Sequence, residues 1–119
     1  MTAKRSDKER LTDILESIEN IRDFSMDLTL DQFLKDKKTQ SSVLLQFLII
    51  GEAISQFDPF ILEKFDYPWF VVKSFRNFIA HEYFNIKMER IWFTIADQLP
   101  ELEAIIKLIL NKEFGYYGN

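Results

Sequence analysis

The sequence predicts an all-α protein, a bundle of four to five helices. Hydrophobic residues make up 47% and aromatics 15% of its 119 residues, with twelve Phe, enough for one packed core. Only three Gly and three Pro occur, too few for the many tight turns of a sheet protein. Apolar residues recur at helical spacing along most of the chain. No linker, repeat or low-complexity segment divides it, so residues 1–119 read as a single domain.

Ser6-Asp7-Lys8-Glu9 has the form of a capping box. Behind it Leu11, Ile14, Leu15, Ile18 and Ile21 share one face, which predicts a helix from Asp7 to Met26. Thr29-Leu30-Asp31-Gln32 repeats the signal and opens a short helix carrying Phe33 and Leu34. Residues 35–40 are polar and basic, either a turn or the solvated start of the next helix. That helix, the central one, is predicted from Thr39 to Phe57, with apolar residues over more than half its circumference. Gly51 inside it costs roughly 1 kcal/mol relative to Ala, which points to a neighbouring backbone packed close.

Asp58-Pro59 ends the central helix, and a short turn of helix is expected at 60–65. A fourth main helix is predicted from Pro68, a favoured first-turn residue, to Tyr83. A fifth begins after Asn85, with Ile91, Trp92, Ile95 and Leu99 turned inwards. Pro100 should kink or restart it, and Leu102, Ile105, Ile106, Ile109 and Leu110 continue the stripe. The tail FGYYGN is expected to fray.

Composition also narrows function. A net charge of −4 removes any global positive field for nucleic acid, so such a contact must be local. With no Cys and one His, disulfides and thiolate metal sites are excluded, and a zinc site within one chain is not expected. The charged start MTAKRSDKER is unlike a signal peptide, and the longest apolar run is too short to span a bilayer. A cytoplasmic domain without a membrane segment is expected.

The only histidine lies in Arg76-Asn77-Phe78-Ile79-Ala80-His81-Glu82-Tyr83. With ~100° per residue, Val71, Val72, Phe75, Phe78 and Ile79 form one apolar arc, read as a core stripe. Arg76, Tyr83, Lys73, Ala80, Asn77, His81 and Ser74 share the remaining arc. Arg76 and Tyr83 stand at i, i+7, and Asn77 and His81 at i, i+4. One reading is a solvated face, with His81 near a helix C-terminus. The other is a site in which Arg76 clamps a phosphate, His81 exchanges a proton and Asn77 orients one of them. Those residue types suit cleavage of a phosphodiester by an RNA 2′-hydroxyl, which needs no metal. One His does not easily serve as both base and acid, whereas a homodimer pairing two such faces supplies two Arg and two His.

RNFIAHEY fits the R-x4-H-x-Y pattern of HepT toxins, a family within the HEPN superfamily, and its first part fits the broader R-x4-6-H motif. The segment IIGEAISQF, the Pro68-Trp69 pair and the order of elements from Asp7 to Leu110 also resemble HepT. The resemblance implies an all-α HEPN bundle that forms a homodimer with an RNA-cleaving groove between its motif helices, and no cofactor or metal. It further implies a type VII toxin–antitoxin system, in which an MntA-type minimal nucleotidyltransferase transfers AMP from ATP to the motif tyrosine.

Carried over residue by residue, Arg76 is the phosphate ligand, His81 the acid/base, Asn77 a supporting polar group and Tyr83 the modification site. Glu52 is either an orienting carboxylate for Arg76 or His81 or a surface salt bridge. Asp36 belongs to a similar class. Lys73, Lys87 and Arg90 are candidates for a basic strip along RNA, or simply solvated charges. A second reading keeps the fold but not the chemistry: a non-nucleolytic HEPN module that binds a nucleotidyltransferase and presents Tyr83.

Overall fold

The computed structural model describes residues 4–115, and among them every regular element is helical. Helix α1 (Asp7–Ser25) starts at Ser6, whose hydroxyl accepts from the Glu9 amide at 3.1 Å while the Glu9 carboxylate accepts from the Ser6 amide at 3.0 Å. Helix α2 (Leu30–Lys35) opens with the same reciprocal pair, Thr29 and Gln32. Both boxes are as the sequence predicts. Helix α3 (Lys37–Gln56) begins two residues earlier than expected. Asp36 is the reason: its carboxylate accepts from the Thr39 amide at 3.0 Å and the Thr39 hydroxyl at 2.7 Å. Residues 35–40 therefore hold a break and a helix start together.

Helix α4 (Pro59–Leu62) is a single turn capped by Asp58, in place of the expected 60–65. Helix α5 spans Trp69–His81, followed by a 3-10 turn at Tyr83–Asn85, then α6 (Met88–Asp97) and α7 (Leu99–Phe114). Pro100 occupies the first turn of α7, so the chain restarts there instead of kinking. Gly115, at φ 60°, closes α7 in the left-handed region, while 116–119 of the tail lie outside the described residues. Among the described residues, five helices have ten or more residues, in keeping with the predicted bundle.

The core lies where α1, α3 and α7 meet. Leu11, Ile14, Ile18 and Ile21 of α1 face Val43, Leu44, Phe47, Ile50 and Ile54 of α3 and Ile106, Ile109 and Leu110 of α7, all buried. Each such side chain contributes about 1.5–3 kcal/mol on burial. Phe33 of α2 packs on Trp92 of α6, ring centroids 5.2 Å apart, and closes one end. Among the described residues, no helix is long and apolar enough to cross a membrane.

Helix α5 lies against α3. Its entry is fixed by Trp69, whose indole N–H donates to the carbonyls of Leu62 and Phe65 at 3.0 and 3.2 Å. The Leu62 carbonyl also accepts from the Phe65 amide at 3.0 Å, so the indole joins the turn after α4 to the start of α5. Further along, Phe75 meets Phe47 edge-on at 5.2 Å. Two expectations for this helix are corrected. Pro68 is its N-cap and not its first residue, and only part of the apolar arc is core stripe: Val72, Phe75 and Ile79 pack on the core, while Val71 and Phe78 do not. Of that arc Ile79 alone is buried, whereas Val71 is 51% and Phe78 36% exposed. Phe70, 79% exposed, joins them, so the solvent side of α5 carries large apolar side chains among its exposed polar ones, Asn77 and His81.

Candidate active site

Arg76 is placed by a glycine. A Cβ built on Gly51 of α3 would overlap Arg76 Cβ and lie 2.6 Å from its Cγ. The close approach expected at Gly51 is thus made by the stem of the motif arginine. From there the guanidinium reaches Glu52, the next residue of α3: Nη2 lies 3.0 Å from the Glu52 carboxylate, and Nη1 donates to Asn77 Oδ1 at 3.2 Å. Arg76 Nε is buried with no hydrogen-bond partner among the described residues. Glu52 also accepts from Gln56 Nε2 at 3.2 Å, which steadies its carboxylate. The contact is one that both readings of Glu52 share, orienting carboxylate and surface ion pair; with Asn77 it gives the guanidinium two polar contacts.

His81 is the last residue of α5 and is exposed, one turn beyond the exposed Asn77 on the same side. Phe78 stands beside this pair, and the Arg90 guanidinium of α6 sits 6.0 Å from its ring centroid. Arg90 therefore reaches the motif helix. Lys73 is half-buried on α5, and Lys87 is exposed at the N-cap of α6.

Tyr83 departs from the predicted arrangement. The helix stops at His81 because Glu82, at φ −114° and ψ 27°, turns the backbone out of helical geometry. Tyr83 then falls in the 3-10 turn, so the i, i+7 pairing with Arg76 does not exist. Its hydroxyl lies 3.2 Å from Ser41 Oγ, near the start of α3. Ser41 and Gly51 are ten residues apart on that helix, roughly 15 Å along its axis. Arg76 and Tyr83 thus mark two ends of one face, with His81 between them in sequence. Phe84, edge-on to Tyr83 at 5.5 Å, is 95% exposed.

Asp36 is engaged elsewhere. Its hydrogen bonds from Thr39 cap α3 and hold its carboxyl below the usual range. The structure also brings in residues that the motif does not contain. A groove beside Arg76 and Ala80 is walled by Arg5, Arg10 and Asp13 of the N-terminal segment. In the sequence these read only as part of a charged start, and nothing local connects them to a motif seventy residues away. Among the described residues, no three His, Asp or Glu side chains gather as metal ligands would.

The arrangement offers a guanidinium held by Glu52 and Asn77, an exposed imidazole five residues further along the same helix, and a tyrosine hydroxyl at the far end. Comparison with known proteins bears on its meaning. Residues 14–109 match the model of a family described as "Ribonuclease HepT-like". The chain is 39% identical over 108 residues to "Putative RNase MJ0127" of Methanocaldococcus jannaschii, covering 87% of this chain and 89% of that one. It is 36% identical over 102 residues to "Probable ribonuclease HepT" of Thermococcus cleftensis, covering 85% and 93%. No solved structure matches it significantly.

Proposed function

Since the chain belongs to the HepT-like ribonuclease family, we propose that it is an RNA endonuclease and the toxin of a two-component type VII toxin–antitoxin system, acting as a homodimer in the cytoplasm. The observation that carries this reading is the placement of Arg76: Gly51, Glu52 and Asn77 hold its guanidinium on the helix that presents His81 to solvent.

In the reaction, the 2′-hydroxyl of RNA attacks the adjacent phosphorus as its proton leaves. The P–O5′ bond breaks and the 5′-oxygen takes up a proton. One fragment ends in a 2′,3′-cyclic phosphate and the other in a 5′-hydroxyl. Arg76 neutralises charge on the phosphoryl oxygens, and His81 moves the protons. Base and acid are needed together, so two His81 side chains across a dimer supply what one does not. The exposed apolar residues of α5, Phe70 and Val71 near its start and Phe78 one turn before His81, support pairing of two motif helices. Asn77 steadies Arg76, and no metal is required.

Neutralisation follows from Tyr83. An MntA-type nucleotidyltransferase would transfer AMP from ATP to its hydroxyl, which is half-exposed and reachable. Because Tyr83 is distant from Arg76, the added nucleotide would block the groove by lying across the His81 face, not by filling the Arg76 contact. Its phosphate would bring negative charge to where RNA must pass.

The test of the chemistry is the product. RNA cut by this route carries 2′,3′-cyclic phosphate ends, and a substrate with 2′-deoxyribose at the cleaved position survives. Cutting of the deoxy substrate would refute the 2′-hydroxyl route.

A further inference from the structure

We propose that Arg5 and Arg10, on the α1 side of the groove beside Arg76, bind RNA phosphates flanking the one that Arg76 holds. The proposal rests on the ribonuclease reading above and adds to it the path of the substrate.

The groove measures about 530 Å³, and its walls join Arg5, Arg10 and Asp13 to Glu52, Arg76 and Ala80. A second depression of about 560 Å³ adjoins it and shares Arg5, Arg10 and Gln56 as walls. Lys4 and Ser6 line its far side. The two depressions meet at these shared walls, so Arg5 and Arg10 stand between the groove of the motif arginine and Lys4. The walls of the two depressions carry four cationic side chains, Lys4, Arg5, Arg10 and Arg76, beside four carboxylates, Asp7, Asp13, Glu52 and Asp58, so what they offer a phosphate is a cluster of guanidinium donors and not a net positive field.

Arg5 and Arg10 are each steadied by carboxylates but not used up. Arg5 Nε and Nη2 donate to Asp13 at 2.9 and 2.7 Å, and Arg5 lies 3.6 Å from Glu9. Arg10 Nη1 donates to Asp7 at 2.9 Å. A guanidinium has five N–H donors, so these contacts leave donors for a phosphate oxygen. The Arg5 pairs lie at the surface and hold weakly, so a phosphate that binds bidentately shares or displaces them, whereas Arg10, part-buried against Asp7, offers the donors which that pair leaves free. The pairing also pre-orders the arginines. Arg5 spans from the segment before α1 to Asp13 two turns along it, and the Arg10 side chain is only 12% exposed.

Binding of single-stranded RNA by the His81→Ala protein, measured between roughly 50 and 200 mM salt, tests the proposal. The Arg5→Gln/Arg10→Gln double variant is expected to lower the slope of log Kd against log salt by about 0.7 for each arginine lost. Lys107→Gln, on α7, should leave the slope unchanged. Arg10 is packed, so Arg5→Gln alone, with one step of slope, decides the matter if the double variant does not fold. In the active protein the same changes raise KM and leave kcat in place. An unchanged slope beside cleavage that still depends on His81 overturns the phosphate track and leaves the ribonuclease reading intact. Absence of His81-dependent cleavage in the wild type overturns that reading, and the track with it.

Discussion

Arg76 of α5 rests on Gly51 of α3 so closely that even a methyl group at position 51 would overlap the arginine's Cβ. The relationship ties the helix pairing that builds the bundle to the position of the group proposed to hold phosphate. Ala is favoured over Gly inside a helix by about 1 kcal/mol, yet overpacking at a helix contact costs about 1–3 kcal/mol. Gly51→Ala is therefore expected to lower stability, by up to about 2 kcal/mol net, despite its better propensity. It should also depress cleavage more than any loss of folded protein explains. Thermal unfolding and cleavage rate, measured side by side, check both. A more stable, fully active variant would show that the contact does not position Arg76.

Glu52 contacts Arg76 at 3.0 Å while half-exposed, so its worth as an ion pair is small, about 0–1 kcal/mol. Its proposed work is directional. Glu52→Gln keeps an oxygen for Arg76 and is expected to retain most activity, whereas Glu52→Ala loses the contact and should lower kcat severalfold. The melting temperatures of the two should barely differ. Equal activity in both would reduce Glu52 to a surface charge.

Tyr83 hydrogen-bonds Ser41 at 3.2 Å and is 46% exposed, so Tyr83→Phe should cost no more than about 1 kcal/mol and leave cleavage unchanged. Incubation with an MntA-type nucleotidyltransferase and ATP should add mass in whole AMP units to the wild type and none to Tyr83→Phe. Modification of both proteins alike would place the acceptor elsewhere. Modification of a wild type that never cleaves RNA would favour the non-nucleolytic interaction module.

Acid should loosen the bundle through identifiable carboxylates. Glu103 of α7 accepts from Arg22 of α1 at 2.7 Å, and this bond, with the nearby charges of Arg22 and Lys107, holds its carboxyl below the ordinary value of 4.5. Thr39 does the same for Asp36, and Ser6 for Glu9. A folded-state value below the unfolded one means that the unfolded chain binds more protons in that window. The contribution is complete above the unfolded range and is lost as pH falls through the folded values. Urea midpoints should fall below about pH 4.5, and Arg22→Gln should flatten that fall. An unaltered acid limb in Arg22→Gln would remove the Arg22–Glu103 pair as its cause.

What could be read from the sequence was what local chemistry decides. The capping boxes at Ser6 and Thr29 state their helix starts outright, and a glycine amid the apolar residues of α3 announces a close neighbour. The end of α5 was not legible, since His81-Glu82-Tyr83 contains no Gly or Pro to stop a helix. The turn occurs where Tyr83 meets Ser41, forty-two residues away. Periodicity found the apolar arc of α5 but not its exposure, because a pattern does not say whether the covering surface lies in the same chain. Arg5 and Arg10 join the motif groove only through the fold, so no spacing rule pointed to them.

The most direct measurement is the rate of cleavage of one defined RNA by purified, unmodified wild type and by His81→Ala, with folding of both verified. Proton transfer by a positioned side chain contributes about 10²–10⁴-fold, so a loss of at least about 100-fold is expected, with Arg76→Ala comparably impaired. Equal rates in the three proteins, or no cleavage by the wild type, would contradict the proposal that the Arg76–His81 face cuts RNA.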